Sequence, residues 1–162
     1  MWVAWLGAAL AAPEMIPASA ADLVGRTAPA FDAEMLDGGT FSLENERGTP
    51  IVLSFWASWC GPCRLELPAL DALQKTRDDI TIYAVNVDRD PNRARGFLKQ
   101  VPMELPVVWD PDSIALGQYD VLSMPTMFLI DENGTVKFRK TGFSQQNGLK
   151  ELEAALAELT GQ

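Results

Sequence analysis

The sequence predicts an α/β fold: a mixed central β-sheet flanked by helices on both faces, with an N-terminal β-hairpin extension. Three observations predict it. Ile51 to Trp56 and Ile80 to Val87 are near-continuous apolar runs, the pattern of strands buried on both faces of a sheet. A helical stretch lies between them, and strand, helix, strand in that order implies a parallel βαβ unit. Two turn sequences, Asp37-Gly38-Gly39 and Asp131-Glu132-Asn133-Gly134, sit between extended runs and add antiparallel hairpins.

Each element follows in chain order. Ala21 to Pro29 reads as a linker. Phe31 to Leu36 and Thr40 to Leu43 form the arms of the first hairpin. After the strand at Ile51–Trp56, Gly61-Pro62 opens a helix to about Arg77. Proline suits the first helical positions because its missing N–H would have had no partner there. Pro68, inside the helix, is expected to kink it. Pro91 to Val101 is helical, with Ala94, Phe97, Leu98 and Val101 on one face. Leu105 to Trp109 is a short extended piece, and Asp112 to Gln118 a short helix. Thr126 to Ile130 and Thr135 to Lys140 pair as the second hairpin, with Lys137 and Arg139 on a wet face. A closing helix starts at about Gln145 and buries Leu149, Leu152, Leu156 and Leu159.

Composition excludes several functions. The chain has 162 residues, a formal net charge of −9 and no histidine. Nucleic-acid binding needs a basic footprint, so no nucleic acid is expected as a partner. The absence of histidine removes the commonest general base and metal ligand. The two cysteines, Cys60 and Cys63, form one C-x-x-C. A structural zinc site would need two further ligands of the cysteine or histidine type, so no metal and no cofactor are expected. A disulfide-stapled scaffold would spread more cysteines along the chain.

The first residues suggest an address. Met1 to Ala12 carry no charged side chain, and Ala18-Ser19-Ala20 has the A-x-A form of a signal-peptidase site. No Lys or Arg precedes the apolar run, unlike the usual signal. Residues 1–20 are therefore read as a signal peptide or short N-terminal anchor, with a disordered N-terminus as the bland reading. Residues 21–162 form the domain, and a periplasmic or other extracytoplasmic location is expected, secreted or membrane-tethered.

The C-x-x-C carries the chemistry. Thiol–disulfide exchange needs one thiolate to attack and a second thiol to resolve the mixed disulfide. Cys60 precedes the helix, where unpaired backbone N–H groups and the dipole favour an anion. It is the expected nucleophile. Cys63, almost one turn further in, suits the resolving role, and Gly61 and Pro62 make the connection compact. The bland alternative is a structural disulfide, but so small a loop adds little stability.

These residues resemble a known family. Phe55-Trp56-Ala57-Ser58-Trp59-Cys60-Gly61-Pro62-Cys63 is similar to the active-site signature of the thioredoxin superfamily. Arg64-Leu65-Glu66-Leu67-Pro68 resembles the continuation found in its TlpA/ResA/DsbE-like branch, and Ser123-Met124-Pro125-Thr126 resembles that branch's cis-proline segment. The resemblance implies a thioredoxin-like fold and an exported thiol–disulfide oxidoreductase, a protein-disulfide reductase that serves, for example, cytochrome c maturation. It implies that Pro125 is a cis-proline facing the sulfurs, barring metal ions and presenting the Met124 backbone to a substrate strand. The partners it implies are protein thiols and disulfides, apocytochrome c among them, and an upstream membrane electron donor. A monomer is expected.

Departures from the pattern leave readings open. Where cytoplasmic thioredoxins carry a buried aspartate, this chain has Ser54. Glu66 is the nearest acidic residue: a proton acceptor for Cys63 if desolvated, or a solvated helix carboxylate. Trp59 is expected to shield the sulfurs and contact substrate, and Trp56 to be core. Two other functions use similar groups, a Cu(I)-binding metal carrier and a thiol peroxidase on a thioredoxin-like fold. Neither a methionine-rich stretch nor a lone T-x-x-C cysteine is present to favour them. Gly61-Pro62 between the cysteines, with no histidine to stabilise the thiolate, points to a reductant.

Overall fold

The computed structural model describes residues 23–161. The expected leader, residues 1–20, lies outside them. In chain order the elements are β1 (Asp32–Met35), β2 (Thr40–Ser42), a 3-10 turn (Leu43–Glu46), β3 (Ile51–Trp56), α1 (Cys63–Thr76), β4 (Thr81–Asn86), α2 (Pro91–Gln100), β5 (Val107–Trp109), α3 (Ile114–Gln118), β6 (Thr126–Ile130), β7 (Val136–Thr141) and α4 (Lys150–Thr160). The seven strands form one sheet in the order β2-β1-β5-β4-β3-β6-β7. β3, β4 and β5 are mutually parallel, and the other pairings are antiparallel.

The crossovers decide which face each helix covers. β3–α1–β4 and β4–α2–β5 step in the same direction across the sheet. Right-handed crossovers of that kind put both helices on one face. There Leu67 and Leu70 of α1 and Ala94 and Phe97 of α2 pack with Val52, Ile82 and Val107. Leu152 and Leu156 of α4 join the same core. The opposite face holds Leu53, Phe55, Tyr83, Val85 and Phe128 under α3, the 3-10 turn and the segment from Leu23. All six residues of β3 are buried, as its apolar run requires. Each such Leu, Ile or Phe contributes roughly 1.5–3 kcal/mol by leaving water.

Local signals mark the element ends. The β1–β2 turn runs through Gly38 and Gly39, both near φ +95°, where any side chain would be strained. Asp90 caps α2 by accepting the Asn92 N–H at 2.9 Å, and Pro91 follows at the first turn. α1 remains one continuous helix through Pro68. Among the described residues no helix is long and apolar enough to cross a membrane.

Three readings of the sequence change. The segment after residue 22 is no free linker: Gly25 N–H donates to Val136 O, Val136 N–H to Arg26 O, and Ala28 N–H to Gly134 O. These bonds lay it along β7, a pairing between backbone atoms that side-chain pattern does not encode. The last helix begins at Lys150, not near Gln145, because Gly148 takes φ +52° and closes a turn before it. On β7, Arg139 is half-buried, its guanidinium 5.8 Å from the Phe128 ring centre.

Candidate active site

The site stands at the edge where the parallel strands end. Trp56, Asn86 and Trp109, the last residues of β3, β4 and β5, lie side by side. The chain leaving β3 makes a short loop, Ala57 to Pro62, before α1 begins at Cys63. Cys60 and Cys63 are joined by a disulfide, with their Cα atoms 5.4 Å apart. Cys60 N–H donates to Ala57 O at 3.0 Å. Cys63 N–H donates to Cys60 Sγ at 3.3 Å. Thus the first sulfur takes up a backbone donor at the open end of the helix, where negative charge is favoured. Both sulfur residues are covered, Cys60 at 4% exposure and Cys63 at 0%.

The rim is uneven. Trp59 is 69% exposed, and Gly61 and Pro62 are also exposed. Trp56 is buried in the core, its ring centre 4.8 Å from that of Phe97. β3 pairs with β6 so that Thr126 stands opposite Phe55. The residue before it, Pro125, is therefore level with Trp56, at the edge from which the cysteine loop departs. Pro125 is buried and the Met124–Pro125 bond is cis. Met124 is half-buried and touches both cores. Thr126 Oγ1 donates to Ser123 O at 2.7 Å, and Gly142 N–H donates to Pro125 O at 2.7 Å, which braces this segment.

Beneath the disulfide the structure decides what the sequence left open. Val52, Ser54 and Trp56 alternate onto the α1 face of the sheet. The inner stripe of α1 is Cys63, Glu66, Leu67 and Leu70. Ser54 and Glu66 therefore face each other, both fully buried. Burial pushes the Glu66 carboxyl up to about 7, although the Ser54 hydrogen bond and the charge of Lys140 draw it back down. Glu66 Oε2 has no hydrogen-bond partner. Glu66 is a desolvated carboxyl rather than a solvated one.

A second buried carboxylate holds the loop itself, and sequence reasoning missed it. Asp88 accepts Ser58 N–H at 2.8 Å and Ser58 Oγ–H at 2.9 Å. Asn86 Nδ2 donates to the same carboxylate at 2.8 Å, and the Asp88 N–H returns to Asn86 Oδ1 at 3.1 Å. Trp109 Nε1 donates to Asp88 O at 2.7 Å. The loop that positions Cys60 is thus tied to the end of β4. The available signal was Asn86 and Asp88, polar residues at and just past the end of a buried strand, at the edge where ligands collect in α/β folds. Among the described residues, no three His, Cys, Asp or Glu side chains group closely enough to hold a metal ion.

Comparison with known proteins adds an independent line. A family model described as the AhpC/TSA family matches residues 24–139. The thiol-disulfide oxidoreductase ResA of Geobacillus thermodenitrificans is 35% identical over 130 residues, covering 79% of this chain and 75% of its own. A Chlorobium tepidum protein, described as a thiol:disulfide interchange protein of the DsbE kind, superposes with a TM-score of 0.79 at 36% identity. That match covers 84% of this chain and 96% of that one. A secreted Mycobacterium tuberculosis disulfide oxidoreductase, homologous to DsbE of E. coli, superposes with a TM-score of 0.67 at 25% identity. It covers 80% of this chain and 96% of its own.

Proposed function

The chain belongs to the thioredoxin-like AhpC/TSA family and is a thiol–disulfide oxidoreductase of the ResA and DsbE type, and on that premise we propose that it reduces protein disulfides outside the cytoplasm through Cys60 and Cys63. The observation that carries this reading is the layering of the site. A sulfur at the open end of α1 stands over a second sulfur, with a buried carboxyl held by Ser54 on the same inner stripe.

The reduced pair performs two displacements. The Cys60 thiolate attacks one sulfur of a substrate disulfide and expels the other as a thiolate. Cys63 then loses its proton to the Glu66 carboxylate and attacks Cys60 Sγ. This releases the second substrate thiolate and leaves the Cys60–Cys63 disulfide. The substrate gains two electrons and the site loses two. A carboxyl that ionises near 7 suits a proton acceptor at neutral pH. Exposed Trp59 offers an apolar surface to the substrate. Gly61 and Pro62 keep the pair short, and Met124 with Pro125 forms the facing wall.

Export is supported by the apolar leader with Ala18-Ser19-Ala20 and by the secreted relative. The branch resemblance makes apocytochrome c the leading substrate and a membrane protein the electron donor. The test is a pair of variants. Cys60→Ser should lose exchange entirely. Cys63→Ser should accumulate mixed disulfides with substrate proteins, because nothing releases Cys60. Equal activity of both variants would refute these roles.

A further inference from the structure

A groove of about 250 Å³ lies between the start of α1 and the flank of α2. Ser58, Arg64, Arg93, Gly96, Phe97 and Gln100 line it. Ser58 is two residues before Cys60, and Arg64 directly follows Cys63, so the groove opens beside the reactive pair. The protein has a formal net charge of −9, yet α2 carries Arg93, Arg95 and Lys99 and no acidic residue. Arg64 rests 4.8 Å over the Phe97 ring and donates to Gln100 Oε1 at 3.2 Å. Among the described ion pairs, neither Arg64 nor Arg93 takes part. The carboxylates beside the groove are held by hydrogen bonds: buried Asp88 accepts from Ser58 and Asn86, and Asp90 accepts the Asn92 N–H. Arg64 and Arg93 are thus two exposed cations at a groove on an acidic protein.

Gly96 is a second, independent observation. Glycine inside a helix is unfavourable relative to alanine. Here neither backbone nor packing asks for it. A Cβ at Gly96 would meet no atom within 4 Å, and its φ lies outside the left-handed region. What glycine does at this position is leave the side of α2 bare, so that another backbone can approach closely.

We propose that this groove docks an acidic, extended segment of the substrate protein, next to the disulfide that Cys60 attacks. The proposal rests on the exchange function above and adds a specificity element to it. Arg64 and Arg93 meet the acidic side chains, and the bare surface at Gly96 takes the segment's backbone. Complementary charge of this kind speeds encounter and selects partners more than it adds raw affinity.

The test uses the reduced protein and two synthetic peptide disulfides with the same cysteine core, one flanked by Asp and Glu and the other by Asn and Gln. Neutral hydroxyethyl disulfide is the reference. The acidic peptide should react about three- to tenfold faster than its neutral twin at low salt, as expected for one or two exposed ion pairs. That advantage should shrink as ionic strength rises. Arg93→Gln and Gly96→Leu should each reduce it, while reduction of hydroxyethyl disulfide stays unchanged. Equal rates for the two peptides, or an advantage that survives both variants, overturns the proposal. An equal Arg93-dependent advantage for glutathione disulfide would make the groove a small-anion site and also overturn it. Failure to reduce hydroxyethyl disulfide at all is a different result, because it removes the exchange function itself.

Discussion

The Ser54 hydroxyl donates a 2.5 Å hydrogen bond to Glu66 Oε1, and neither residue touches solvent. A strand residue and a helix residue thus share one proton-bearing contact beneath the disulfide. The pairing has consequences for stability as well as for chemistry.

Glu66 makes the fold more stable in acid than in base across the neutral range. Its carboxyl ionises near 7 in the folded protein against 4.5 for an ordinary glutamate. Between those values the native state keeps a proton that the unfolded chain has lost, so stability falls as pH rises. The contribution is complete below about pH 4.5 and is lost as pH passes through 7. From pH 5 to 8 the loss should be about 2–3 kcal/mol. Glu66→Gln, which stays neutral, should flatten that dependence. Denaturant titration of the oxidised protein at several pH values measures it, and a wild-type curve as flat as the variant's would contradict the buried-acid assignment.

The same residue should shape the rate profile. Resolution by Cys63 should accelerate as Glu66 ionises, with an inflection near pH 7. Glu66→Gln should slow that step by roughly 10²-fold, the lower end for a general base, and should remove the inflection. Rapid-quench detection of the mixed disulfide separates resolution from attack. An unchanged profile in Glu66→Gln would exclude the proton-acceptor role.

Asp88 should matter through the loop it holds. Asp88→Ala strands the Ser58 N–H and the Asn86 amide, which both now donate to the carboxylate. Leaving buried donors unsatisfied costs about 1–3 kcal/mol each, so destabilisation by about 2–4 kcal/mol is expected. Asp88→Asn retains an acceptor and should cost less. Urea unfolding of both variants gives the comparison, and exchange rates report whether the Cys60 loop has shifted.

The direction of electron flow is open to a redox titration. Gly61-Pro62 between the cysteines and the absence of histidine are expected to leave the Cys60 thiolate less stabilised than in DsbA-type sites. A potential below about −200 mV is expected, on the thioredoxin side of the scale. Equilibration with glutathione buffers measures it. A value near −120 mV, that of DsbA, would make the protein an oxidant.

Much of this molecule was legible in its residues. The near-continuous apolar run Ile51 to Trp56 announces a central strand, and Pro91 with the apolar face Ala94, Phe97, Leu98 and Val101 announces α2. The C-x-x-C between a buried strand and a helix announces redox chemistry. All of these depend on interactions within a few residues of one another, which is why pattern alone reveals them. What only the tertiary structure decided depends on distance in sequence. Because β3 is buried on both faces, its run has no polar alternation to say which side α1 covers. The sequence could therefore show Ser54 as a missing aspartate but not as the partner of Glu66, twelve residues away. Asp88 meets Ser58 across thirty residues because parallel β3 and β4 end at the same edge. The groove beside the cysteines exists because two crossovers of one hand lay α1 and α2 side by side on the same face.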